Sequence, residues 1–366
     1  MQIEKKILNK INKIVKNKKV GLHEPHFDNH DFREVLKCLK SSYVSTVGSY
    51  VERFERKIAK YTKSKYVLLT NSGTSALYIA LKTIGVDEKS NVLVPSLSFV
   101  ATANAIKYNN AKPIFIDSSL DNFGMCPTSL ENFLKEKTFL RKNKRVFKKN
   151  NLKISAIIVG HLFGACSEMS KLIKISKKFK IPLVEDSAEA LGCFYKKKHL
   201  GSIGEIGILS FNGNKIITSG AGGAFMTDNY NIFKKAEHLS QNAKKTHKWK
   251  YEYDDLGYNI KMPNLNAALG FAQIKRLGKY ILYKKRLFTI YAKIFSNNKA
   301  IEFVYPDPKL SWNFWLVTIL LKSNSIKIRD KIIYQLNKHK IGARPIWQLN
   351  HKIKIFKNCP KMDIIC

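Results

Sequence analysis

The sequence predicts an α/β fold, a mostly parallel sheet sandwiched by helices, followed by a smaller α+β region. Two observations carry this. Short continuous apolar runs recur through the first part of the chain with helical stretches between them, the pattern of strands buried on both faces. After Pro263 the pattern changes to one long helical stretch and then to short strand candidates with a further helix. The expected division is therefore 1–262, a large α/β domain with an N-terminal helical arm, and 263–366, a linking helix with a small α+β domain.

The elements follow in order. MQIEKKILNKINKIVKNKKV predicts a basic amphipathic helix, solvated or resting on an anionic membrane surface. Val35, Leu36 and Leu39, then Val51, Phe54, Ile58 and Ala59, recur at helical spacing and predict two helices separated by a turn at Gly48. Tyr66 to Thr70 is a compact apolar strand. It runs into Asn71-Ser72-Gly73-Thr74-Ser75, and Leu77, Ala80, Leu81 and Ile84 then mark a helix face. Further strands are expected at Val92 to Pro95, Ile114 to Asp117, Ala156 to Val159, Leu183 to Asp186, Gly207 to Phe211 and Ala224 to Thr227. The lysine-rich run from Lys135 to Lys153 is expected to be a solvated excursion. Beyond Pro263, a helix through Phe295, strands at Phe303 to Tyr305 and Trp315 to Leu321, and a helix from Ile328 to Lys338 are expected.

The net charge of +38 raises nucleic acid as a partner. Nucleic-acid binders concentrate charge on a stripe or tail, whereas lysine here is spread from end to end, so the charge argues for no nucleic-acid partner. No apolar run reaches the roughly 18 to 20 residues of a membrane span, so no stable membrane insertion is expected. The N-terminus has no uninterrupted apolar core, so it is not a secretory signal. Six cysteines without a C-x-x-C pair or clustered histidines argue against zinc and a disulfide framework, and fit a reducing cytoplasm.

The stretch GILSFNGNKIITSGAGGAFMT organises the candidate chemistry. It predicts a strand, a turn carrying Ser210 and Lys215, a glycine cluster and a second strand. Burial on such a turn disfavours a lysine's charged form and suits it to imine chemistry. Ligands of parallel sheets gather beyond the carboxyl ends of the strands. There the sequence places Thr74 and Ser75, Phe99, Asp186 with Glu189, and Ser210 with Lys215. A strand, a Gly/Ser/Thr turn and a helix start make a phosphate seat, because the first helical N–H groups lack internal partners. A carboxylate able to hold a pyridine nitrogen protonated, a phosphate cup, a flat ring neighbour and a lysine are what pyridoxal phosphate (PLP) chemistry requires. Singly, each has a plain alternative: a solvated lysine, a helix N-terminal carboxylate, an N-cap hydroxyl, a core aromatic.

Together, NSGTSAL, VLVPSLSFVATANAI, HLFG, VEDSAEALG, LSFNGNKIITSGAGG and GYNIKMPNLNAALG stand in an order that resembles the DegT/DnrJ-type nucleotide-sugar aminotransferases, a branch of the fold-type-I PLP enzymes. The resemblance runs from about Leu22 to the last residue. It implies Lys215 as the Schiff-base lysine and general base, and Asp186 as the pyridine-nitrogen partner. It places Thr74, Ser75 and Ser210 at the cofactor phosphate, Phe99 against the ring, and Glu189 near the phenolic oxygen, where many members carry His or Gln. Asn259 in GYNIK would reach the phosphate in a neighbouring subunit, which implies a homodimer with shared active sites.

LHEPHF, SSYVSTVGSYVERFE and ARPIWQLNHKIKIFKNCPKMD look most like the branch aminating C4 of UDP-linked 4-keto-6-deoxy-N-acetylhexosamines, with glutamate as donor, for legionaminic-acid-type bacterial surface sugars. A related dehydratase branch carries histidine in place of the lysine, so Lys215 argues for transamination. Two departures stand out: Lys261 occupies the position of the family's usual arginine, and the chain stops at Cys366 where relatives continue with another helix.

Overall fold

The computed structural model describes residues 3–16, 18–305, 310–323 and 325–362. The chain begins with helix α1 (Ile3–Val15), α2 (Asn29–Lys40) and α3 (Ser49–Thr62). The alternating part then runs β1 (Tyr66–Thr70), α4 (Gly73–Thr83), β2 (Ser90–Pro95), α5 (Val100–Tyr108), β3 (Lys112–Ile116), α6 (Pro127–Glu136), β4 (Thr138–Arg141), β5 (Lys144–Phe147) and β6 (Lys153–Gly160). It continues with α7 (Met169–Phe179), β7 (Leu183–Asp186), β8 (Phe194–Tyr195), β9 (Lys198–His199), β10 (Ile206–Ser210), β11 (Gly223–Thr227) and α8 (Tyr230–Ser240). Last come α9 (Asn264–Ile274), α10 (Leu277–Phe295), β12 (Ile301–Phe303), β13 (Leu310–Ser311), β14 (Ile319–Leu321) and α11 (Ile326–Lys338).

The main sheet has the order β1-β11-β10-β7-β6-β2-β3. The pairs from β10 through β7, β6 and β2 to β3 are parallel, and β11 pairs antiparallel with β1 and β10. The parallel strands are apolar on both faces because helices cover both; β2, for example, is buried at every residue. Asp186, the last residue of β7, is in register with Gly160 of β6 and Ile208 of β10. That register lines up the carboxyl ends carrying the polar residues.

Several expectations are corrected. The run from Lys135 to Lys153 is not a simple excursion: β4 and β5 form a hairpin joined to β6 through Val146 and Lys153. Its apolar residues anchor it, since Val146 and Phe147 are buried and Phe147 packs on Phe133 at 5.5 Å between centroids. The long helix from Asn264 breaks at Lys275 and Arg276 into α9 and α10. At that break the Arg276 guanidinium is bonded to Asp28 and Asp31 at the start of α2. Trp315 to Thr318 is not strand; only Ile319–Leu321 pairs, with β12. Phe314, at φ 52°, takes a left-handed turn that ends any extended run there. The N-terminal helix uses its apolar face internally: Ile7, Leu8 and Ile11 are buried, and α1 packs on α10 and α11. Among the described residues no helix is long and apolar enough to cross a membrane. The chain end at Cys366 lies outside the described residues.

Candidate active site

The polar residues at the strand ends open onto one cavity of about 1480 Å3. Thr74, Phe99, Asp186, Glu189, Ser210 and Lys215 all line it.

Lys215 follows β10 on a tight turn closed by its own N–H, which donates to the Asn212 carbonyl at 3.0 Å. The side chain is mostly enclosed, as expected. It is not starved of counter-charge: Nζ donates to Glu189 Oε1 at 3.3 Å and lies 4.4 Å from the centre of the Trp315 ring. Trp315 is itself pinned by its indole N–H to the Asn214 carbonyl at 2.7 Å. Glu189 Oε2 accepts the Phe163 N–H at 2.7 Å. Burial pushes the Glu189 carboxyl above its ordinary range, while the Lys215 charge and the Phe163 N–H work against that rise.

Asp186 Oδ2 accepts from the Thr102 hydroxyl at 2.7 Å, and Oδ1 from the Ala188 N–H at 3.3 Å. The aspartate is therefore oriented from two sides. Beneath it, the preceding residue Glu185 is fully buried and holds His161, Gly201, Ile203 and Gly204.

The first turn of α4 meets the end of β10. A Cβ at Gly73 would stand 2.9 Å from Ser210 Cβ, so any side chain there would fill the space between helix start and hydroxyl. Gly73, Thr74 and Ser210 thus form a cradle at a helix N-terminus, where unpaired N–H groups and the dipole favour an anion. Phe99, just before α5, keeps half its surface exposed toward the cavity and packs on Trp347 at 5.6 Å.

Ser75 does not line the large cavity; with Thr74, Tyr78 and Tyr108 it lines a second, shallower pocket. One helical step beyond Thr74, its hydroxyl turns to Asn71 Oδ1 at 2.6 Å and lies 2.9 Å from the Ser72 hydroxyl. Asn259 is likewise outside the cavity of its own chain; it is exposed and bridges to Gln241. The Lys261 backbone bridges antiparallel to Thr70, at the end of β1.

Sequence reasoning missed Thr102, His161, Glu185 and Trp315. Thr102 and His161 lie within quoted motifs without an assigned task, and Trp315 was expected in a strand. HLFG also explains its glycine: Gly164 has φ +83°, and a Cβ there would meet Asn313 Oδ1 at 2.5 Å and Trp312 Nε1 at 2.6 Å. The contacts of Trp312 with the Phe163 carbonyl and of Asn313 with the Glu189 carbonyl hold the Glu189 loop in place.

The residues present fit pyridoxal phosphate. An amine, an oriented carboxylate, a helix-start cradle for a phosphate and a half-exposed aromatic face share one cavity.

Comparison with known proteins gives the same result. Residues 25–363 match the DegT/DnrJ/EryC1/StrS aminotransferase family. The GDP-perosamine synthase of Escherichia coli O157:H7 is 31% identical over 340 residues, covering 93% of this chain and 87% of that protein. The UDP-4-amino-4,6-dideoxy-N-acetyl-beta-L-altrosamine transaminase of Campylobacter jejuni is 34% identical over 333 residues, covering 91% and 84%. A Streptococcus pneumoniae protein solved in its PLP form shares the fold, with a TM-score of 0.83 at 23% identity over 93% of this chain and 88% of that one. The chain belongs to the DegT/DnrJ/EryC1/StrS family and is a PLP-dependent aminotransferase.

Proposed function

We propose that this enzyme moves an amino group from glutamate to the C4 keto group of a nucleotide-linked 4-keto-6-deoxy sugar, UDP-borne, for bacterial surface-glycan synthesis in the cytoplasm. The observation that carries the reading is Lys215, held by Glu189 and Trp315 in the same cavity as Asp186 and the Gly73–Ser210 cradle. The relatives named for sugar chemistry support the substrate class; one is named for a UDP-linked sugar and one for a GDP-linked sugar.

PLP, when bound, supplies the electron sink that stabilises negative charge at the donor carbon. The protein's residues do the rest. Thr74 and Ser210, with the start of α4, hold the phosphate. Phe99 covers a ring face. Asp186, oriented by Thr102, keeps a proton on the pyridine nitrogen. Lys215 Nζ anchors the cofactor, then takes the proton from the donor's α-carbon and later delivers one to C4 of the sugar. Glu189 holds the released amine over the site. A homodimer with shared sites completes the reading: Asn259 would reach the partner's phosphate, and α2 leaves Phe32, Leu36 and Leu39 exposed on one face for a second copy to cover.

The test is direct. Purified enzyme should be yellow, Lys215→Ala should lose that absorbance, and glutamate should aminate UDP-linked 4-keto sugars in a panel that includes GDP-linked ones. Colourless protein that takes up no added cofactor would overturn the assignment of the site. Amination of the GDP-linked sugars alone would overturn the UDP assignment.

A further inference from the structure

We propose that His23 and Lys284, beside Trp315, form a carboxylate-binding subsite that holds the amino donor as it reaches Lys215. The proposal rests on the reading of Lys215 as the amine-handling lysine. His23 and Lys284 line the same cavity as Lys215 but come from distant parts of the chain, the segment after α1 and helix α10. The His23 ring centroid lies 6.3 Å from that of Trp315, the ring that also carries Lys215 Nζ. Trp315 is therefore a wall common to the amine and the imidazole.

Among the described residues, neither group has a hydrogen-bond or ion-pair partner that explains its place. Among the described residues, no carboxylate acts on Lys284, and burial alone pushes its ammonium down to about 8. His23 Nδ1 is likewise enclosed without a hydrogen-bond partner among the described residues. Burial first, then the charges of Lys284 and Lys215, push that imidazole down to about 3, so the ring is neutral and lies within the field of both lysines. The adjacent Glu24 turns away to the Gly21 N–H at 3.1 Å. Glu189 is already engaged by Lys215 and Phe163. A cation without a described counter-charge, Lys284, and an open ring nitrogen on a partly desolvated wall attract an anion.

The position selects which anion. On an α-amino acid the carboxylate carbon is bonded to the carbon that bears the amine, so an amine brought to the place of Lys215 Nζ brings its carboxylate to the adjoining wall. The phosphates of a nucleotide sugar are separated from C4 by the width of the sugar ring and lie further out.

The experiment is calorimetric titration of cofactor-loaded enzyme with glutarate, a dicarboxylate lacking an amine, and in parallel with UDP and GDP. Lys284→Met and His23→Leu should each weaken glutarate by at least about tenfold, Lys284→Arg should retain most of the affinity, and the nucleotides should bind all variants alike. Unchanged glutarate affinity in the variants overturns the proposal, as does wild type that does not bind glutarate. Loss of nucleotide affinity instead would give the subsite to the phosphates and also overturns it. Cofactor absorbance in the same samples shows that the variants are folded and loaded. It judges Lys215 separately: colour that survives Lys215→Ala would sink the reading of Lys215, whatever the titrations show.

Discussion

His161, in the wall of the candidate site's cavity, donates from Nε2 to the buried Glu185 carboxylate at 3.0 Å. The Ser167 N–H points at Nδ1 of the same ring at 3.4 Å, so Nε2 carries the proton. The opposite carboxylate oxygen accepts from the backbone N–H groups of Ile203 and Gly204. Burial works to raise the Glu185 carboxyl, but the His161 bond and the backbone donors outweigh it and hold it below its ordinary range. A carboxylate lowered in this way adds stability above its unfolded value of about 4.5, and that stability is lost as pH falls through the folded value. His161→Leu should cost roughly 2 to 3 kcal/mol at neutral pH and move acid unfolding to higher pH. Glu185→Gln should cost more, because its amide NH2 must face N–H donors at one end or the other. Urea denaturation between pH 4 and 8 checks both; a Gln variant as stable as wild type would refute the arrangement.

Thr102 illustrates a positioning residue that acts through another. Its hydroxyl bonds Asp186 Oδ2, and Thr102→Val removes that bond while keeping the shape. Asp186 keeps the Ala188 N–H. Losing one charge-assisted hydrogen bond of about 1.5 kcal/mol should lower kcat roughly tenfold. Cofactor content, read by absorbance, and thermal stability should stay near wild type. Unchanged kcat would remove Thr102 from the reaction; lost cofactor would make it a retention residue instead.

The strands of the main sheet were legible because apolar runs need no partner to be recognised. Asp186, Ser210 and Lys215 were legible because they end those runs. The pairings were not. Glu189 finding Lys215, Thr102 finding Asp186 and Trp315 roofing the amine depend on register and on loops from three separate regions. The turn of Ser75 away from the cavity has a local cause: once Ser72 is the cap, a residue three positions on closes back onto it. Gly278 beside the break at Arg276 is the single local mark of it, and the counter-charges that hold it, Asp28 and Asp31, lie far away in sequence.

Glu55 gives stability a pH dependence at neutral pH. Burial pushes its carboxyl up to about 7, while the Leu69 N–H at 3.0 Å and the charge of Lys261 act to lower it. Lys261, which stands where the family resemblance expects arginine, thus acts on a carboxylate of helix α3. With a folded value above the unfolded one of about 4.5, the contribution of Glu55 is fully present below pH 4.5 and is lost as pH rises through about 7. Glu55→Gln keeps an acceptor for Leu69 and removes the charge. It should leave stability unchanged at pH 4.5 and raise it above pH 7 by on the order of 2 kcal/mol. Lys261→Met should act in the opposite sense, destabilising only where Glu55 is ionised. Thermal unfolding of the three proteins at pH 5 and pH 8 separates these cases, and a Glu55→Gln shift of equal size at both values would show that packing, not ionisation, controls the position.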